Sequence, residues 1–271
     1  MLAEKYFPQG SNRYQTLSNT FRKLDKFAAL NPERWFGVWC MVLAGANVTH
    51  HIEDRWFYWD WSSLSYVLFV MLAFATYWDK LAKRLFPVFP QKIDSVKSGL
   101  FMLLMGFILF LLGTIPKGID YLVLTYGLPY LIYFIVGHLT YAIQITINDV
   151  GEKSVPLKVK MAPILSIIVF LTFLATAAGT YNNDPMISTV AAVYSPFPLV
   201  ALIFPAAVRH LQRCRMYVVF IPAMFLAMRF PWFLFPLILF CFVAAFTPGP
   251  NNILGSYSGF NFGIKKSIPL I

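Results

Sequence analysis

The segment NVTHHIEDRWFYWDW, residues 47–61, concentrates side chains able to bind a metal or move a proton: His50, His51, Glu53, Asp54 and Asp60. On a helix His50 and Asp54 are four residues apart and share a face, a spacing that metal ligands use. With His51 beside them they form a candidate metal set. No second HxxxH or HxxxE element supplies further ligands. The competing reading is therefore a hydrated loop, with Trp56, Tyr58, Trp59 and Trp61 as an aromatic belt at a membrane surface. His138 is a separate candidate. In YLIYFIVGHLTYAIQITIND it has Phe134 one turn before it and Tyr141 one turn after, with Gln144 extending the polar seam. A lone imidazole facing lipid would leave its ring nitrogens without partners, so His138 is expected to face other helices. There it would contact a substrate or a proton, or fix the packing of two helices.

These residues sit in a chain that composition assigns to a membrane. Of 271 residues 58% are hydrophobic and only 13% charged, and the mean hydropathy is +0.63. A soluble domain carries about 25% charge. Cys40, Cys214 and Cys241 are far apart and offer neither a CxxC pattern nor an even disulfide set. No continuous apolar core marks a signal peptide in the first 33 residues. They read as a basic cytoplasmic tail, with an amphipathic surface helix around residues 14–30 presenting Leu17, Phe21, Leu24 and Phe27 or Ala28 on one face.

A membrane helix needs roughly 20 apolar residues. That rule places spans near 35–51, 62–78, 98–115, 121–147, 162–180 and 187–208. Residues 216–247 are too long for one helix and carry Arg229 and Pro231 in the middle, so two short spans, 216–229 and 232–247, are expected. The fold class is thus all-α: a polytopic helical bundle of about eight spans with both termini cytoplasmic. Residues 1–34 form the tail, 35–247 the bundle and 248–271 a C-terminal segment. With this topology 19 of the 22 lysines and arginines are cytoplasmic, and only Arg55, Lys117 and Arg229 face outward, as the positive-inside rule requires. The net charge of +10 then reports topology and excludes nucleic acid as the partner. The implied location is a bacterial-type inner membrane. The expected partners are the bilayer and a small-molecule substrate, with a homo-oligomer left open. No cofactor is expected.

All twelve acidic residues fall in loops or at span ends, which argues against a relay of mid-membrane carboxylates. No lysine lies inside a span, which argues against a retinal Schiff base. Pro196, Pro198 and Pro205, followed by Pro222, Pro231 and Pro236, mark helix breaks of the kind that line cavities.

The chain closes on FTPGPNNILGSYSGFNFGIKKSIPLI. Two prolines around a glycine stop a helix, and the freed backbone groups and Asn amides can meet a polar substrate. From about Phe233 onward, roughly the last 39 residues, the sequence resembles the opening of the lysine-exporter and threonine/homoserine-efflux family of amino-acid exporters. Thr247, Pro248, Gly249, Pro250, Asn251 and Asn252 match its TPGPNN element, Gly259 and Gly263 the small residues that follow, and Lys265–Lys266 the basic turn. The resemblance implies substrate contacts at residues 247–252 and an export activity. In the family the element opens a fold of about six helices, whereas here seven expected spans precede it, as in a fusion or a truncated chain. No P-loop is present, so transport would be secondary. The second reading is a membrane-embedded enzyme or structural subunit, with His50, His51 and His138 as the chemical groups.

Overall fold

A computed structural model describes residues 7–8, 11–28, 32–70, 96–143, 155–204, 211 and 217–239. Thr247 to Asn252, Gln144, Cys214 and Cys241 lie outside the described residues. Among the described residues the secondary structure is entirely helical. The elements are α1 (Asn12–Ala28), α2 (Pro32–His50), α3 (Val96–Thr114), α4 (Tyr121–Ala142), α5 (Val155–Tyr181), α6 (Pro185–Tyr194), α7 (Pro196–Ile203) and α8 (Tyr217–Arg229). Residues 64–70 and 234–239 are also helical, the latter after a single 3-10 turn at Pro231–Phe233.

Four helices are long and apolar enough to cross a membrane: Val96–Thr114, Tyr121–Ala142, Met161–Tyr181 and Pro185–Ile203. They match the expected spans at 98–115, 121–147, 162–180 and 187–208. The remaining four expected spans do not reach that standard within the described residues. At 1.5 Å per residue the 13-residue α8 extends about 20 Å, short of a hydrocarbon core of about 30 Å. Helix α2 is long enough, but Asn47, Thr49 and His50 make its final turns polar. The fourth span is two helices in one line. Ser195 keeps helical angles between α6 and α7, while Pro196 removes the amide hydrogen that a continuous helix would use.

Burial separates an interior from an apolar surface. Val42, Leu43, Ala44, Ala46 and Val48 of α2 are buried, and Leu100, Leu103, Leu104 and Ile108 of α3 are exposed, as are Phe170, Phe173 and Leu174 of α5. Exposed large apolar residues on a helix this hydrophobic fit contact with acyl chains. Helix α2 is central, packing on α3, α4 and α8, and its longest seam is with α3. The seam is built on two glycines. A Cβ on Gly45 would collide with the carbonyl oxygen of Phe110, and one on Gly113 with that of Val42, so the two backbones meet with nothing between them.

The turns at residues 51–63, 115–120 and 182–184 and the end of α8 gather at one end of the bundle. Asn182 Nδ2 donates to the Thr125 carbonyl near the start of α4 at 3.4 Å. The backbone N–H of Asp60 donates to the carbonyl of Arg229 at 2.8 Å. Capping fixes two of these turns: Asp120 accepts from the Tyr121 amide at the start of α4, and Asp184 accepts from the amides of Met186 and Ile187 at the start of α6.

Candidate functional site

At this end the apolar bundle closes over a set of buried charges. Arg229 and Asp184 each retain 1% of their surface, and Asn47, His51, Arg55 and Asp60 are also buried. Together with Tyr130 they arrive from five different elements. Asn47 comes from the last turns of α2, His51, Arg55 and Asp60 from the loop, Tyr130 from α4, Asp184 from the α5–α6 turn and Arg229 from the last residue of α8.

Asp184 is the centre of one half. Its Oδ1 caps α6, at 3.0 Å from the Met186 amide. Its Oδ2 accepts from the Tyr130 hydroxyl at 2.9 Å and lies 3.4 Å from Arg55 Nη1. Asn47 Nδ2 donates to Tyr130 Oη at 2.8 Å, so a chain of donors runs from Asn47 through Tyr130 to Asp184. The Arg55 guanidinium also lies over the Tyr126 ring, 4.0 Å from its centroid. Both oxygens of this buried carboxylate are therefore engaged, Oδ1 by the start of α6 and Oδ2 by Tyr130 and Arg55.

Arg229 holds the other half, and among the described residues no carboxylate pairs with it. Its Nη2 donates to the Arg55 carbonyl at 2.7 Å, its Nη1 to the Phe57 carbonyl, and its guanidinium lies 4.8 Å from the Tyr58 ring centroid. This grip ties the loop to the bundle. Trp59 takes a φ of 70°, a conformation costing a bulky residue about 1–3 kcal/mol. It is fixed by the following residue, because the Asp60 amide is bound to Arg229 and Asp60 Oδ1 accepts from the Ser62 amide at 2.7 Å and hydroxyl at 2.6 Å.

The two histidines converge on Asp60. His50 Nδ1 stands 3.4 Å and His51 Nε2 3.3 Å from Asp60 Oδ2. These are ion-pair distances without hydrogen-bond geometry, since His51 Nε2 and Asp60 Oδ2 both stay without a hydrogen-bond partner. His51 also stacks on Phe57, with centroids 5.6 Å apart. Burial, reinforced by the charge of Arg229, pushes the His51 pKa down to about 4 despite the nearby carboxylate. The imidazole is therefore neutral near pH 7. For Asp60, burial acts upward, but the hydrogen bonds from Ser62 and the charge the two imidazoles can carry outweigh it and hold the carboxyl below its ordinary range.

The expected metal set does not assemble as His50, His51 and Asp54. The helix ends at His50, so the four-residue spacing to Asp54 no longer places the two on one face. Asp54 instead turns back to accept from the Trp56 amide at 3.0 Å, and Asp60 takes its place beside the histidines. Among the described residues no group of three or more His, Cys, Asp or Glu side chains could hold a metal ion. His138 is half-buried in α4, away from this cluster, with its ring edge-on to Phe134 at 4.5 Å.

Asn47, Tyr130, Asp184 and Arg229 were not singled out as site residues by sequence reasoning. One signal was available. Arg55, Lys117 and Arg229 are the three exceptions to the charge asymmetry, and all three belong to this end: Arg55 and Arg229 in the cluster, and Lys117 close enough for its charge to act on His50. The Asp-Pro pair at 184–185 is also a helix-start signature. No family model, curated protein or solved structure matches the chain.

Proposed function

We propose that this is a multi-pass protein of a bacterial-type inner membrane, crossing about eight times with both termini cytoplasmic, and that it is a secondary transporter of small polar solutes. The cluster of Arg55, Asp184 and Arg229 lies at the outer end in this topology and meets the solute there. One observation carries the reading: two groups as costly to bury as Arg229 and Asp184 are held at 1% exposure at one end of an apolar bundle. Ionisable groups kept inside a membrane protein at that cost mark solute and ion pathways. The exporter-like element Thr247–Asn252 is the proposed inner counterpart, with Asn251 and Asn252 as polar contacts for an amino acid.

The test is export from proteoliposomes or intact cells carrying the full chain, measured for a panel of amino acids and small carboxylic acids. Efflux above background that falls in Asn251→Ala, with the protein level unchanged, supports export through the TPGPNN element. Efflux at background for every solute tested, with the protein inserted and folded, removes the transport reading. The approach of His51 to Asp60 favours the enzyme as the second reading. In that case a chemical conversion, not a flux, would depend on His51.

A further inference from the structure

We infer that Arg55 and Arg229 form a binding site for a small monocarboxylate, and that its occupancy is coupled to uptake of one proton by His51. This rests on the reading of the end cluster as the solute site, and names what that site takes.

The first observation is unused donor capacity. Arg229 Nε and Arg55 Nη2 are both buried and have no hydrogen-bond partner among the described residues. A guanidinium N–H left unpaired in a low-dielectric surrounding is costly. The two arginines share this end of the bundle: Arg229 Nη2 is bound to the Arg55 backbone carbonyl, and the charges of Arg55 and Asp184 both act on Arg229. A carboxylate presents two acceptor oxygens carrying a single charge, the group that arginine forks recognise best.

The second observation is the charge balance. Arg55 and Arg229 contribute two positive charges, and Asp184 and Asp60 two negative ones, so these four groups sum to zero with both imidazoles unprotonated. A bound monocarboxylate leaves one excess negative charge in a buried place. His51 is built to cancel it. Its Nε2 faces Asp60 Oδ2 at 3.3 Å without a hydrogen bond, and an imidazolium carries N–H on both nitrogens. A proton taken from water therefore turns an unpaired contact into an ion pair. No bond other than that N–H is formed. The charged groups acting on His51 are Asp60 on the loop, His50 on α2 and Arg229 on α8, and Lys117 from the α3–α4 turn acts on His50. Burial opposes protonation most, and the charge of Arg229 comes next; that charge is the part an anion would neutralise. Binding and protonation are thus linked, each raising the affinity for the other by the same factor. A dianion would leave two excess charges and would need both imidazoles to take up a proton, so it fits the cluster less well.

The experiment titrates the purified full chain in nanodiscs with sodium formate between about pH 5.5 and about pH 7.5, a range in which formate stays ionised. A pH-sensitive dye in weakly buffered solution records proton uptake. The expected result is saturable formate binding that takes up protons and weakens by up to about tenfold per pH unit as pH rises. His51→Gln should still bind formate, but with the pH slope and the proton uptake gone. Arg229→Gln should lose binding. Since this variant also frees the loop that Arg229 grips, the wild-type pH slope stands as the independent measurement. Formate binding with no pH slope and no proton uptake overturns the coupling. Absence of formate binding by folded wild type overturns the site, and equal binding of chloride overturns the carboxylate class. A protein that exports a solute yet binds no formate loses this inference alone. One that moves nothing loses the transport reading instead.

Discussion

Helices α2 and α3 are joined along their length by the absence of side chains, whereas the loop above them is joined to the bundle by charge. In the seam, Gly45 and Gly113 let each backbone rest on the other's carbonyls, and flanking residues such as Val42 and Phe110 are wholly buried. Its stability is a sum of many small dispersion contacts, so what it cannot accept is added volume. The cap is the reverse. A handful of groups hold it, each satisfying another that would be costly alone, so what it cannot accept is a removal. Helix α2 takes part in both, its middle in the seam and its last turns in the cap. One helix can therefore be fixed by two kinds of force within a few turns.

The largest expected effect tests the cap. Asp184→Ala removes the partner of Arg55 and of Tyr130 and the cap of α6 together. It should destabilise the protein by about 3–5 kcal/mol, the range for breaking one side of a buried ion pair, measured as a shift in denaturant-induced unfolding in detergent. The seam comes next. Gly113→Leu forces a side chain against the Val42 carbonyl and should cost about 1–3 kcal/mol by the same measurement. If it costs more than Asp184→Ala, the contrast between the two regions is reversed.

The smallest effect is a pH dependence confined to the cap. The folded-state pKa of His51 is about 4 against 6.5 in the open chain, so the unfolded chain binds the proton more readily. Stability is then greatest above pH 6.5 and declines as pH falls from 6.5 toward 4. The loss should be about 1 kcal/mol after allowing for water screening around the loop. Asp60, with its pKa lowered, adds a further loss as pH falls through its own folded-state pKa. His51→Gln should flatten the upper part of a melting temperature against pH profile. An unchanged slope in that variant would place the titrating group elsewhere.

The helical class and the positions of four apolar helices were legible because each is a local property. Twenty apolar residues in a row are apolar wherever the chain goes, and Asp120 and Asp184 announce helix starts by chemistry that acts within a turn. The cap was only half legible. His50, His51 and Asp60 stood out as neighbours in sequence, yet the choice of Asp60 over Asp54 depended on where α2 stops. Helix ends are the least regular part of a pattern. Arg229 reaches the loop across 172 residues, and no periodicity relates two positions so far apart. Gly45 and Gly113 were equally silent, since a glycine carries no sign of what will approach it.

The clamp by Arg229 also has a consequence for how the molecule is made. Ribosomes deliver the loop long before the residue that closes it. With 172 positions between Phe57 and Arg229 and synthesis at about 5–20 residues per second, the interval is roughly 10–30 s. Throughout that time Trp59 has no reason to hold its left-handed backbone, and the carbonyls of Arg55 and Phe57 must find water or another donor. The nascent protein therefore passes through a stage in which its first helices exist while this end of the bundle is not yet closed. Completion of that closure waits on the arrival of one late arginine.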